Sequence, residues 1–303
     1  MTETQGSRII IVGFAAQDYV FQLDTLPSGG IKHKAKAFAV SGGGLAANAA
    51  VAAARLGGRV DLVTRLGDDS VGRDILADLA AEGVGTDLTR RFAGCRSPLS
   101  AIMVDSAGER MLVNYEDLSI PRDTDWLPAR LDGTVAAVMG DTRWEAGARH
   151  FFSLAREAGV PGVLDGDRAP ADLAVVTDAS HVAFSAQAMR EMAGTDDLPE
   201  ALARLSGMVG NWLAVTDGPR GVWFMDRGTV RHQPAFPVAA VDTLGAGDTF
   251  HGALTLALGE GMDEARAVAF AAAAAALKCT RFGGRAGMPA RSDVERMLAG
   301  RAV

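Results

Sequence analysis

The chain has 303 residues, of which 48% are hydrophobic and only 6% aromatic, and its formal net charge is −7. Its length and apolar content are sufficient for one large core, and its negative charge argues against nonspecific binding to nucleic acid or to an anionic membrane. The 36 glycines indicate many tight turns, which suit alternating strands and helices better than a β-sandwich. We therefore expect a single α/β domain over residues 1–303, with no nucleic-acid or membrane partner.

The cysteines and the terminal segments favour a cytoplasmic location. Cys95 and Cys279 are far apart and in no metal-ligand or CxxC spacing, which argues against a disulfide or a metal site. The N-terminus lacks the charged-then-apolar pattern of a signal peptide, and the alanine-rich run at 265–277 is too short to span a bilayer.

Short, continuous apolar runs recur along the chain, and such runs are typical of strands buried on both faces of a parallel sheet. The first, at 8–13, ends in a glycine and begins the fold. Helical patterns separate several of the later runs, which predicts a doubly wound, mostly parallel sheet flanked by helices. These later runs lie at 60–64, 135–139, 162–165, 181–184, 212–216 and 221–224.

Two segments, 18–41 and 98–115, instead alternate polar and apolar residues around turn signals such as Ser106-Ala107-Gly108. The alternation predicts a small antiparallel sheet formed by about residues 16–40 and 97–116. A sheet inserted into an α/β domain has one face left to cover, so it serves as a lid over a cleft or pairs with another subunit. We expect a homodimer that forms through this lid.

An earlier glycine-led segment, 41–58, has a triple glycine that opens an alanine-rich helix ending at a glycine pair. Asn48 lies one turn inside this helix. Asn weakens helix propensity, which indicates that its amide is needed for hydrogen bonds to a polyol; a solvent-facing Asn is the ordinary alternative.

The most informative segment, 241–254, is a loop that leads into a helix. The small residues Gly245, Ala246 and Gly247 allow close approach of a ligand, and their N–H groups at a helix N-terminus favour a phosphate. A carboxylate beside such an anion hole would repel the phosphate, so we interpret Asp248 as the base that deprotonates an attacking hydroxyl. Asp is also a common helix N-cap, and the loop alone leaves both interpretations open.

Together, these two segments resemble the paired signatures of the ribokinase-like (PfkB) carbohydrate kinases, in that family's order and spacing. The motifs at Asp18, 67–72, 165–168 and 216–221 also fall where the family has comparable motifs. The resemblance implies a ribokinase-like fold, a Rossmann-like core with a β-sheet lid, and the activity of an ATP-dependent sugar kinase.

The resemblance also implies a role for each motif residue. Asp248 would be the catalytic base, and the anion hole would comprise Gly245, Ala246 and Gly247. The sugar hydroxyls would be held by Asp18, Gly43, Gly44 and Asn48. ATP would lie against Thr216, Gly218, Gly221, Gly245 and Gly247.

The expected cations follow less directly from the motifs. Many relatives carry an Asn-x-x-Glu motif near the magnesium–phosphate cluster, whereas residues 184–189 here read Phe-Ser-Ala-Gln-Ala-Met. Mg²⁺ keeps much of its water and can be held by substrate phosphates, so Asp165 and Asp167 remain its candidate protein ligands. Some relatives bind a monovalent cation beside the anion hole, which would place K⁺ near Asp242 and the loop at 283–287.

Within the family, residues 100–115, 143–144 and 277–287 are similar to the 6-deoxy-6-sulfofructose kinases of sulfoglycolysis. This likeness implies that Lys32, Asn114 and Arg143 surround an anion on C6 and that the phosphoryl group is transferred to O1. Arg and Lys bind phosphate as readily as sulfonate, so fructose 6-phosphate remains a rival substrate. A sulfonate carries less charge than a phosphate ester, and one Lys, one Arg and a neutral amide suit the smaller charge slightly better.

Two other classes of function compete with a kinase. A dehydrogenase would need the GxGxxG spacing after the first strand, and residues 13–18 lack it. A non-catalytic sugar or nucleotide sensor on a kinase fold stays open, because a fold does not determine a function and the missing glutamate is compatible with lost catalysis. Asp248 favours the enzyme.

Overall fold

The structure is a computed structural model that describes residues 6–107 and 109–300. Its strands are β1 (Arg8–Val12), β2 (Ala16–Gln22), β3 (Ala37–Gly43), β4 (Arg59–Val63), β5 (Arg65–Gly67), β6 (Arg90–Phe92), β7 (Leu99–Val104), β8 (Arg110–Tyr115), β9 (Val135–Asp141), β10 (Gly162–Gly166), β11 (His181–Ser185), β12 (Trp212–Thr216), β13 (Val222–Asp226) and β14 (Thr229–Gln233). Its helices are α1 (Leu45–Arg55), α2 (Ser70–Ala81), α3 (Glu145–Ala158), α4 (Ala174–Asp178), α5 (Ala186–Ala193), α6 (Leu198–Val209), α7 (Ala246–Gly259), α8 (Glu264–Lys278) and α9 (Arg291–Ala299).

The central sheet has eight strands in the order β14-β13-β12-β11-β10-β9-β1-β4. The six strands from β12 to β4 are parallel, and β13 and β14 add an antiparallel edge. All seven apolar runs identified in the sequence lie in this sheet, so the predicted α/β fold class is confirmed. The eighth strand, β14, was not predicted because it is a largely exposed edge strand with no apolar run.

A second sheet of four strands has the order β3-β2-β7-β8. Its strands lie in the two segments predicted to form the lid, except that β3 continues to Gly43, three residues past the predicted end at about 40, and we call it the lid sheet. The β3–β2 and β7–β8 pairs are antiparallel, but the central β2–β7 pair is parallel. The lid sheet is therefore mixed rather than purely antiparallel. Strand β7 can lie parallel to β2 because a long connection that includes α1 and α2, and not a hairpin, leads from β3 to β7. Gly108, in the turn predicted before β8, lies outside the described residues.

Helices cover both faces of the central sheet and create two apolar layers. One layer contains α1, α7 and α8 and is rich in alanine, and the other contains α3, α5 and α6 and is built from larger side chains such as Phe151 and Phe152. In the first layer α1 and α7 approach closely, since a Cβ placed on Gly252 would overlap the carbonyl oxygen of Ala49. This close approach brings the N-terminal turns of the two helices together.

The part of the chain that the structure describes contains no helix both long and apolar enough to cross a membrane.

Replacing Gly252 with Ala tests the contact between α1 and α7. The added methyl group would force the two helices apart, and we expect the free energy of unfolding to fall by about 1–3 kcal/mol. Gly207→Ala is the matched control, because Gly207 lies in α6 and a Cβ added there would have no atom within 4 Å. The control should gain about 0.5–1 kcal/mol from helix propensity. Chemical denaturation measures both variants, and a Gly252→Ala protein as stable as the control would contradict the close packing.

Candidate active site

The N-terminus of α7 presents unused backbone donors. Gly245 is the N-cap, with a left-handed φ of 78°, and Asp248 is the third residue of the helix. The N–H of Ala246 donates to the carbonyl oxygen of Thr243 at 3.2 Å. The N–H groups of Gly247 and Asp248 have no hydrogen-bond partner among the described residues. The helix start can thus receive an anion, with the donors supplied by residues 247 and 248 rather than by Ala246.

The carboxylate of Asp248 lies beside these donors and is bound by another helix. Nδ2 of Asn48, on α1, donates to Oδ2 of Asp248 at 2.7 Å. The N-cap interpretation of Asp248 is therefore wrong, since Gly245 is the cap and Asp248 accepts from a distant side chain. Burial, and then the negative charge of Asp165, raise the pKa of Asp248 to about 7, although the Asn48 hydrogen bond opposes the shift. A carboxyl with this pKa can accept a proton near neutral pH.

A cleft of about 580 Å³ opens on the same loop. One wall contains Thr216, at the end of β12, with Gly218 and Gly221 in the turn that follows. The opposite wall contains Ala246 and Gly247. The lining is largely apolar, with contributions from Phe250, Ala272 and Ala276 on α7 and α8. Four of the five residues that the sequence assigned to ATP, Thr216, Gly218, Gly221 and Gly247, thus line one cleft, and Gly245 is not among its lining residues.

Acidic side chains gather at the carboxyl end of β10. Asp165 is buried, and its Oδ1 has no hydrogen-bond partner among the described residues; Nε2 of His251 lies 3.5 Å from it. Burial, and then the charges of Asp167 and Asp141, raise the pKa of Asp165 well above its usual range. Asp167 is neutralised by Nη2 of Arg143 at 2.8 Å. An unpartnered carboxylate oxygen here fits a hydrated Mg²⁺, although no group of three His, Cys, Asp or Glu in the described ranges could hold a metal alone.

A polar row crosses the lid sheet beside this region. Asp18 on β2 is paired in register with Ser41 on β3 and with Ser100 on β7, and Ser100 is paired with Asn114 on β8. Residues directly opposite each other share one face of a sheet. A Cβ on Gly43 would overlap the Asp18 carboxylate, so this glycine leaves room for that side chain. Burial raises the pKa of Asp18, against a hydrogen bond from Ser100.

Comparisons with known proteins agree with this geometry. The family model described as pfkB family carbohydrate kinase matches residues 7–291. The chain belongs to the pfkB family of carbohydrate kinases. It is 30% identical to Bacillus subtilis ribokinase over 299 residues, covering 96% of this chain and 99% of the relative. It is 31% identical to a fructokinase of Klebsiella pneumoniae over 284 residues, covering 84% and 91%. The crystal structure of a putative ribokinase from Agrobacterium tumefaciens has 36% identity and a TM-score of 0.91, covering 97% and 98%. The protein is thus a sugar kinase of the ribokinase and fructokinase type.

One buried cation of this kinase was not assigned a role from the sequence. Nε of Arg285 donates to Oδ1 of Asn48 at 2.8 Å, and Arg285 also contacts the carbonyl oxygen of Gly43 and the carboxylate of Asp78. Because Oδ1 of Asn48 accepts from a permanent donor, the amide must turn Nδ2 toward Asp248. The sequence contained the signal only as an arginine in the glycine-rich loop at 283–287. The amide of Asn48, predicted to bind a polyol, is already engaged by the protein at both ends.

No hydrogen bond or ion pair among the described residues joins the three residues predicted to surround an anion. Lys32 is exposed in the loop between β2 and β3 and contacts no charged group among the described residues. Asn114 is exposed on β8. Arg143 shares a small pocket with Arg65, Glu116, Phe14 and Trp144, and its buried Nε has no partner among the described residues. Arg65, which belongs to none of the sequence motifs, stacks on Trp144 at 4.6 Å from the ring centre.

The Asp242 region does not fit K⁺. The carboxylate accepts from the N–H groups of Leu244 and Gly283, and it pairs with Arg110 of the lid sheet at 2.6 Å. The buried ammonium of Lys278 lies 3.6 Å from Oδ2. Burial would raise the pKa of Asp242, but these donors and cations outweigh it and hold the pKa below its usual range. Two protein cations already neutralise this carboxylate.

Proposed function

We propose that the protein transfers the γ-phosphoryl group of ATP to O1 of 6-deoxy-6-sulfofructose. The observation that carries the proposal is the position of Asp248. This residue directly follows Gly247, which lines the cleft, and the N–H groups of both residues have no partner among the described residues. Its carboxylate is held by Asn48, and its pKa is raised to about 7. Phosphoryl transfer to a hydroxyl requires a base close to a site that binds the transferred phosphoryl group. The carboxylate of Asp248 and the N–H groups of Gly247 and Asp248 supply these two elements.

The chemical step follows from this arrangement. The sugar hydroxyl gives its proton to Asp248 as its oxygen attacks the γ-phosphorus, the bond to the β-phosphate oxygen breaks, and ADP leaves. The N–H groups of Gly247 and Asp248, together with the N-terminal dipole of α7, stabilise the charge on the transferring group. Asn48 holds the carboxylate in place, and Arg285 holds Asn48.

The nucleotide would occupy the cleft between the Thr216 turn and α7. The apolar lining suits a base and ribose, while the phosphates would point toward Gly247 at the far end. Asp165 and Asp167 would hold Mg²⁺ through its water shell. When bound, this ion neutralises the phosphate oxygens and relieves the excess of carboxylates at the end of β10.

The sugar would lie between Asp248 and the polar row of the lid sheet. Asp18 and Asn114 offer an acceptor and an amide to its hydroxyls, and Gly43 and Gly44 allow it to approach the start of α1. At the other end, the unpartnered Nε of Arg143 and the neighbouring Arg65 favour an anion on C6. Lys32, on its loop, would complete that site only after the loop closes.

A second candidate substrate, fructose 6-phosphate, is favoured by the presence of two arginines in one pocket. Asp167 and Glu116 reduce the positive charge there, since one pairs with Arg143 and the other lines the same pocket. This reduced charge suits the sulfonate, which carries less negative charge than a phosphate ester.

Replacing Asp248 with Asn tests the base. The amide cannot take the proton, so kcat should fall by a factor of about 10²–10⁴, while ATP binding measured by calorimetry stays near that of the wild type.

In the wild type, kcat/KM should rise about tenfold per pH unit up to about pH 7 and level off above it, because the ionised carboxylate is the active form. Asn48→Ala removes a donor that lowers this pKa and should move the midpoint upward. A flat profile, or near-normal turnover in Asp248→Asn, would remove Asp248 as the base.

A substrate panel tests the anion pocket. With ATP and magnesium, kcat/KM for 6-deoxy-6-sulfofructose should exceed that for fructose 6-phosphate, fructose and ribose by about a hundredfold, or about 3 kcal/mol in transition-state binding. Arg143→Ala should lower the sulfofructose value at least tenfold and leave fructose unchanged. Arg149→Ala is the control, since Arg149 is an arginine of α3 paired with a carboxylate away from the cleft. Preference for fructose 6-phosphate would replace the proposed substrate, and turnover of no sugar would favour a non-catalytic sensor.

We also propose that two copies of the chain associate through the lid sheet. The face opposite the polar row carries exposed apolar side chains, among them Phe38, Val40 and Val113. Monomeric proteins seldom leave such a contiguous patch in water. Burying it against the same patch of a second copy makes a symmetric contact.

Light scattering coupled to gel filtration tests this association. We expect the wild type to have the mass of a dimer and a Val40→Lys, Val113→Lys double variant to have that of a monomer. Met208→Lys is the control, because Met208 is an apolar side chain even more exposed than Val40 and Val113 but lies on α6 rather than in the lid sheet. A monomeric wild type at micromolar concentration would contradict the proposal.

A further inference from the structure

Lys278 is the most unusual charged residue of the described chain outside the catalytic arrangement. It ends α8, and its side chain is fully buried, with a relative exposure of 0%. Nζ donates to the backbone carbonyl oxygen of Asp242 at 2.8 Å and lies 3.6 Å from Oδ2 of the same residue. Lysine is almost never fully buried unless its charge is matched, so the site must be built for a cation.

Backbone carbonyl oxygens lie close to this side chain. The carbonyl oxygens of Lys278 and Arg281 lie 2.9 and 3.0 Å from the place that a Cβ on Gly287 would occupy. Cε of Lys278 lies 3.2 Å from the same point. Together with the carbonyl oxygen of Asp242, which accepts from Nζ, three backbone carbonyls lie near the lysine side chain, and such oxygens are ligands for a hard cation. Glycine at 287 leaves room for the lysine stem.

The ammonium group of Lys278 lies beside Asp242, and the contacts of Asp242 hold the loop that leads to Gly245. Oδ1 of Asp242 accepts from the N–H of Leu244 at 3.0 Å, and Oδ2 accepts from the N–H of Gly283 at 2.9 Å. The N–H groups of Val241 and Asp242 donate to the carbonyl oxygen of Cys279 at 2.7 and 3.2 Å. Asp242 thus ties the segment leading to Gly245 to the loop at 283–287. A cation beside Asp242 neutralises a carboxylate that is hydrogen-bonded to the segment leading to Gly245.

We propose that the ammonium group of Lys278 is a built-in replacement for a monovalent cation beside the anion loop, so that this kinase needs no K⁺. Arg110 supplies a second charge to the same carboxylate, at 2.6 Å, and a third cation would meet repulsion from both. A tethered ammonium is present at every salt concentration, whereas a free ion must be bound from solution. The proposal rests on the proposed function only for its kinetic readout, because the stability readout below needs no substrate.

The first measurement compares the wild type in K⁺-free buffer with the same protein in about 100 mM KCl, using tetramethylammonium chloride to keep the ionic strength constant. We expect kcat/KM with the best sugar of the panel to change less than twofold. We also expect the melting temperature of the substrate-free protein to be the same in the two salts. A saturable rise of tenfold or more in kcat/KM with K⁺, or a K⁺-specific rise in melting temperature, would overturn the proposal.

Two substitutions at 278 sharpen the test. Lys278→Ala removes the charge and opens the carbonyl-lined space, so kcat/KM should fall at least tenfold without K⁺ and recover with K⁺ or NH₄⁺. Its melting temperature should also rise with K⁺. Lys278→Met removes the charge but fills the space, and K⁺ should restore neither property. Full activity of Lys278→Ala without K⁺, or equal behaviour of the two variants in K⁺, would contradict a cation-replacing role.

The stability readout separates this proposal from the kinase activity. If the wild type turned over no sugar, the proposed function would fail, while the melting temperatures of the wild type and of Lys278→Ala in the two salts would still decide the role of Lys278. If Lys278→Ala did not fold in either salt, the response of the wild type to K⁺ would decide it.

Discussion

The candidate active site depends on one hydrogen bond, from Nδ2 of Asn48 to Oδ2 of Asp248. It joins the first turns of α1 and α7, two helices that begin after glycine-rich loops 200 residues apart in sequence. The bond is possible because small residues let the helices approach closely, with Gly252 against the backbone at Ala49. Arg285 fixes the amide from the other side, so that one chain of hydrogen bonds links three distant segments.

Charge balance governs the rest of the site. Carboxylates collect at the end of β10 and at Asp248, and their burial, followed by their mutual repulsion, raises the pKa values of Asp165 and Asp248. Lysine and arginine instead neutralise Asp242, whose pKa is held below its usual range. The carboxylates of Asp165 and Asp248 can therefore accept a proton or a hydrated cation. The negative charge of Asp242 is already neutralised by protein cations.

Much of the fold could be predicted from local patterns. Continuous apolar runs marked seven of the eight central strands, because a strand covered on both faces needs no polar residue. The eighth, β14, is an exposed edge strand, and its polar sequence carries no such signal. Alternation located the strands of the lid sheet, but the parallel β2–β7 pair depends on how the chain crosses over, which alternation does not encode.

The site divides in the same way. The sequence by itself determined the glycine-led loops, the helix starts behind them and the acid at position 248, since each depends on neighbours within a few residues. Only the tertiary structure decided that Asn48 faces Asp248, that Arg285 orients it, that Arg65 lies beside Arg143, and that Lys278 is buried against Asp242. The physical reason is that the state of a buried polar group depends on which groups the fold brings to it from 36 to 237 residues away, and no local pattern records those partners.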